Sequence, residues 1–155
     1  RQQGSQFVID SSGAALAAAL QAGVDLVKPS LRELRDLTGL PLATESEWCD
    51  AARGLIRQGQ ARIIALSLGE DGALLVTDQQ AWRARALKVD VASTIGAGDS
   101  FLAGLVWALN QQHDMAQALR YAMAAGAAAL LTPGTSLCQL ADIQRLLQDV
   151  QAQLI

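Results

Sequence analysis

Residues 62–68 read RIIALSL, and Ile63, Ile64, Ala65 and Leu66 follow one another without a polar break. A strand with one wet face alternates apolar and polar residues, because successive side chains point to opposite faces. An unbroken apolar run of strand length is instead buried on both faces, the usual state of strands in parallel sheets covered by helices. The rest of the chain supplies matching pieces. QFVID, residues 6–10, is a short strand closed by SSG, and VDLVKP, residues 24–29, is a second. The Ala-rich stretch between them reads as a helix stopped by Gly23. SLRELRDLTG spaces Leu31, Leu34 and Leu37 three apart, with Ser30 and Glu33 as a capping box. TESEWCDAARGLIRQG repeats the device with Thr44 and Glu47 and stops at Gly59. ALLVTD and AWRARAL are further strands, and helices are expected over 101–111, 115–131 and 140–154. Strands alternating with helices, then helices alone, predict an α/β fold with a mostly parallel sheet between two helical layers.

Composition narrows the function classes. With 155 residues and 51% hydrophobic content, the chain can bury a core as one soluble globular domain without disulfide or metal staples. A formal charge of -3 argues against a nucleic-acid or membrane-surface partner. No apolar run approaches the roughly 20 residues that span a bilayer; AMAAGAAALL, residues 122–131, reads as a buried helix. Cys49 and Cys138 belong to no CxxC pair and read as free thiols of a reducing cytoplasm. No signal peptide and no initiator Met are visible. His113, in the polar NQQHDM, reads as solvated, and Trp107 reads as core.

Three stretches carry chemistry. In STIGAGDSF, residues 93–101, Gly96, Ala97 and Gly98 have little or no side chain, so their N–H groups can approach an anion closely. The helix that follows adds about half a positive charge at its N-terminus. Asp99 stands where those donors converge, and a carboxylate kept ionised there can accept a proton from an attacking hydroxyl. Asp and Ser are also ordinary helix caps, and Gly is ordinary in turns, so the local pattern leaves cap and base both open. The spacing is neither GxGxxG nor a P-loop. SLGEDGALL, residues 67–75, is either a plain turn or a backbone lip on which a nucleotide lies without a Cβ clash. In LVKPSLREL, residues 26–34, Lys28 can neutralise phosphate charge and Glu33 can hold Mg²⁺ through water; a surface lysine and a capping glutamate are the plainer readings.

In their order and spacing along the chain the three stretches resemble the ribokinase/PfkB family of ATP-dependent sugar kinases, from about Phe7 to the end of the chain. STIGAGDSFLAGLVWAL is similar to its C-terminal signature, LVKPSLREL to its KPNxxE segment and ALSLGEDGALL to its SLGxxGA loop. VIDSSGAAL, DLVKP and PGTSLC are most similar to the 6-phosphofructokinase branch, with tagatose-6-phosphate and 1-phosphofructokinases near relatives. The resemblance implies a ribokinase-like fold, ATP and Mg²⁺ as cofactors, a sugar-phosphate substrate, a cytoplasmic location and a homodimeric full-length protein. It implies Asp99 as catalytic base and Gly96, Ala97 and Gly98 as anion hole. Lys28, Ser67, Gly69, Gly72 and Thr94 match positions around ATP, with Gly126 and Ala127 near the adenine. Glu33 matches the acid that organises Mg²⁺, and Asp10 matches a member of the metal–water network.

Two residues depart from the pattern. Ser30 replaces the Asn of KPNxxE, and Ser93 stands where many members carry an Asp that helps bind a monovalent cation. K⁺ is therefore an open expectation, kept in play by the phosphofructokinase-like ST.GAGD form. Members are about twice this length, so residues 1–155 are expected to be the C-terminal, ATP-binding part, without the sugar-binding half and its lid. A non-catalytic nucleotide-binding module is the alternative.

Overall fold

The computed structural model describes residues 5–155 as a mixed α/β fold of six strands and six helices. Its chain divides into two compact units. One takes in residues 5–68 and Leu74–Ala81; the other takes in Gly69–Ala73 and Trp82–Ile155. Among the described residues no helix is long and apolar enough to cross a membrane. Cys49 is buried, Cys138 is half-buried, and both are free thiols.

The first unit is built from β1 (Val8–Ile9), α1 (Gly13–Ala22), β2 (Val24–Val27), α2 (Leu31–Thr38), α3 (Glu45–Arg57) and β3 (Ala61–Ser67), followed by β4 (Ala73–Val76). These strands lie side by side in chain order. β1 and β2 run parallel with Ile9 opposite Val27, and β2 and β3 run parallel with Leu26 opposite Ile63. Ile64, Ala65 and Leu66 are fully buried, as the unbroken apolar run requires, while Ile63 at its start is only half-buried. Ile64 and Leu66 share a core with Leu16 and Leu20 of α1, Leu34 of α2 and Ala52 and Leu55 of α3. Both expected capping boxes form: Ser30 with Glu33 starts α2, and Thr44 with Glu47 starts α3. Gly23, Gly39 and Gly59 all take positive φ just past helix ends, where a side chain would be strained.

The second unit holds β5 (Ala81–Ala84), α4 (Ala97–Asn110), α5 (Met115–Leu130), α6 (Leu140–Leu146) and β6 (Ala152–Leu154). α5 carries the AMAAGAAALL stretch and is buried along most of its length. Gly104 lets α4 approach α5: a Cβ there would lie 2.8 Å from both Ala125 Cβ and the Tyr121 carbonyl oxygen.

Four expectations need correcting here. The helix expected over 101–111 starts a turn earlier, at Ala97, so the Gly-Ala-Gly-Asp stretch lies at its mouth. The helix expected over 140–154 ends at Leu146, and Ala152–Leu154 pair antiparallel with β5, Trp82 facing Leu154. Arg120 donates to the carbonyls of Leu147 and Val150, taking up acceptors that a longer helix would have used; strand pairing then overrides local propensity. Trp107 is 49% exposed rather than core. It packs edge-on against Tyr121 at 4.9 Å, and His113 lies beside both rings instead of standing free in solvent.

Candidate functional site

The site residues read from the sequence fall into two sets, one in each unit. In the first, three parallel strands end on a common edge, the side where open α/β sheets bind ligands. Asp10 follows β1, Lys28 follows β2, and Ser67 closes β3. The Lys28 ammonium lies 2.9 Å from Asp10 Oδ2, and the Lys28 N–H donates to the Ile9 carbonyl at 3.1 Å. Ser67 donates to the Pro29 carbonyl from its N–H at 2.9 Å and from its hydroxyl at 3.4 Å, and it forms a parallel bridge with Ser30. The Ser30 N–H and hydroxyl both donate to Glu33 Oε2, at 2.7 and 2.9 Å. Glu33 thus caps α2 through one oxygen.

In the second unit, the approach to α4 is tied down by backbone. Ala92 and Ser93 donate their N–H groups to the Leu130 carbonyl at the end of α5. The Ser93 hydroxyl donates to the Gly134 carbonyl and accepts from the Ile95 N–H, both at 3.2 Å. Thr94 is exposed in this loop. Gly96 is the N-cap, in the left-handed region at φ 78, and offers no side-chain cap. Ser100 makes the bond that closes the first turn, to the Gly96 carbonyl at 2.9 Å. The N–H groups of Ala97, Gly98 and Asp99 precede it and project from the open end of the helix. Asp99 is therefore not the cap; it sits in the first turn, exposed. Among the described residues no hydrogen bond or ion pair engages its carboxylate.

The glycines of the second unit divide by role. A Cβ on Gly126 would come within 3.3 Å of the Ala97 carbonyl and of Phe101 Cβ, so this glycine seats α5 against the mouth of α4. Ala127, beside it, is 7% exposed. Gly69, with φ 60, begins a 3₁₀ turn, Gly69–Asp71, and faces open space. Gly72 has φ 102, and a Cβ there would overlap the Ala84 carbonyl and approach the Ala86 nitrogen to 2.7 Å. The missing side chain at Gly72 leaves room for the backbone beyond β5. Arg83 completes the loop: its guanidinium donates to the carbonyls of Asp71, Ala73 and Ala84. The sequence offered no signal for Arg83, because its partners at 71 and 73 are set by tertiary structure.

A cavity of about 670 Å³ opens elsewhere in the first unit, lined by Leu20, Leu37, Leu42, Asp50 and Leu55 among others. None of the site residues lines it.

Comparison with known proteins follows the same pattern. The model of the pfkB family of carbohydrate kinases matches residues 1–142. ATP-dependent 6-phosphofructokinase isozyme 2 of Mycobacterium tuberculosis is 39% identical over 145 residues, covering 94% of this chain and 42% of that protein. The 1-phosphofructokinase of Escherichia coli is 41% identical over 130 residues, covering 84% and 41%. The crystal structure of E. coli phosphofructokinase-2 in complex with potassium superposes with a TM-score of 0.90 at 36% identity, covering 96% of this chain and 48% of that one. The chain thus spans about half the length of the relatives it matches. With the family model covering nearly all of it and the signature helix mouth in place, this chain belongs to the pfkB family of carbohydrate kinases.

Proposed function

We propose that this chain supplies the nucleotide side of an ATP-dependent sugar-phosphate kinase, converting fructose 6-phosphate to fructose 1,6-bisphosphate. One observation carries the reading: at the mouth of α4, an exposed Asp99, unpartnered among the described residues, stands beside the outward N–H groups of the helix start. The N–H groups of Gly96, Ala97 and Gly98, with that of Asp99 and aided by the helix dipole, hold negative charge that develops on the transferred phosphoryl group. Asp99 takes the proton from the attacking hydroxyl. Phosphoryl transfer draws its acceleration from this positioning and electrostatics, with no covalent step on the protein.

The cofactors follow from the donor set. Among the described residues no three His, Cys, Asp or Glu side chains gather into a metal-binding group. Mg²⁺ keeps most of its waters and takes one or two carboxylates with the phosphate oxygens. Glu33, with one oxygen outside the capping box, fits that demand through water. When bound, Mg²⁺ neutralises charge on the phosphates. K⁺ is the further proposal: the Ser93–Gly134 link joins the two loops that would hold it. The enzyme acts in the cytoplasm, as a homodimer once complete. A second reading, fructose 1-phosphate as substrate, is favoured by the 41% identity to the E. coli 1-phosphofructokinase.

The test is a chimera joining residues 1–155 to the amino-terminal half of E. coli phosphofructokinase-2. Asp99→Asn lowers its turnover by about 10²–10⁴-fold while ATP affinity, read by calorimetry, stays nearly unchanged. A fall of less than about tenfold removes Asp99 from the role of base.

A further inference from the structure

The Lys28–Asp10 pair is unusual in where its burial lies. Lys28 has only 11% of its side chain exposed, against 35% for Asp10. A cation so enclosed needs a counter-charge, and Asp10 Oδ2 provides it at 2.9 Å. Parallel pairing builds the contact: Val8 faces Leu26 and Ile9 faces Val27, which brings the next residues of both strands, Asp10 and Lys28, to one point of the ligand-binding edge. Asp10 is thus the resident partner of a cation at that edge suited to phosphate. A polyphosphate reaching Lys28 has to compete with Asp10 and then lie close to a carboxylate. Bare triphosphate meets that charge with its full negative charge, whereas a metal-complexed triphosphate meets it with much of its own already neutralised.

We propose that Asp10 is the displaceable counter-ion of Lys28, and that it makes this site prefer metal-complexed over metal-free polyphosphate. The role rests on the nucleotide reading above and adds to it a charge-selecting residue. It gives Asp10 a positioning task toward Lys28 in place of direct membership in a metal shell.

Calorimetry on the 155-residue chain tests it, with ATP in EDTA and ATP in saturating Mg²⁺ as the two probes. The parent binds the Mg²⁺ complex more tightly. Asp10→Asn tightens binding of metal-free ATP by about tenfold and narrows the preference accordingly. Asp10→Glu, which keeps the charge, restores the preference, and Lys28→Met weakens both probes. A carboxylate that only supported the fold would never improve affinity when neutralised. Circular dichroism checks each fold, and Asp10→Ser, also neutral, replaces Asp10→Asn if that variant unfolds. Metal-free binding that is unchanged by neutralising Asp10, or weakened in step with Lys28→Met, overturns the counter-ion role alone. A parent chain that binds neither probe overturns the nucleotide reading together with it.

Discussion

Arg83 donates to three carbonyls, those of Asp71, Ala73 and Ala84, and so fixes the loop that carries Gly69 and Gly72. A planar guanidinium reaches several acceptors at once in a way that an ammonium does not. Arg83→Met is expected to lower stability by about 2 kcal/mol, the loss of charge-assisted bonds with partly exposed acceptors. Arg83→Lys recovers less than half of that, as urea denaturation reads it. Recovery to the parent midpoint would show that charge alone suffices. At the same scale, Asp99 was open to two readings in the sequence. Gly96 took the cap, and the aspartate was left in the first turn with its carboxylate exposed. Its offset from the start of the helix, and not its residue type, decided that Asp99 is not the cap.

At the scale of elements, the α4–α5 contact depends on a missing side chain. Gly104→Ala would gain about 1 kcal/mol of helix propensity. It would also push a Cβ to 2.8 Å from the Tyr121 carbonyl oxygen and Ala125 Cβ. Overpacking at that distance costs about 1–3 kcal/mol, and where backbone is the obstacle the upper end applies. The net loss is therefore about 1–2 kcal/mol, and the melting temperature falls by roughly 2–8 °C; a more stable variant would refute the close approach. The start of α3 supplies a pH test. The N–H groups of Thr44 and Ala43 donate to Glu47 and hold its carboxyl below the ordinary value of 4.5. A depressed folded value means that the unfolded chain binds the proton more readily. The stabilisation is complete above the ordinary glutamate range and is lost as pH falls through the folded value. Glu47→Gln accordingly differs from the parent at pH 7, and the difference in urea midpoint closes as pH falls through the folded value. A gap that persists unchanged into acid would mean that the charge is irrelevant to the cap.

For the whole molecule, the prediction concerns what 155 residues do alone. The chain spans about half of its relatives, and phosphoryl transfer depends on holding both reactants and excluding water. It is expected to bind ATP in calorimetry without releasing ADP in response to fructose 6-phosphate; turnover at ordinary enzyme rates would refute this. The sequence by itself determined what depends on neighbours in the chain. Caps at Ser30 and Thr44, stops at Gly23 and Gly59, and the burial of Ile64–Leu66 each follow from interactions within a few residues or from a period. The three motifs were legible for the same reason. Residues 152–154 look helical until β5 offers them a ladder, and Trp107 looks like core until packing leaves it at the surface. Gly72 reads as a turn or lip residue, and nothing local foretells that the backbone at Ala84–Ala86 lies where its side chain would be. Tertiary structure alone decided these, and with them the Asp10–Lys28 pair, because each depends on which distant segment arrives beside it. Local sequence sets how a residue bends and caps its own element, but only the assembled fold sets which charge, carbonyl or strand it meets.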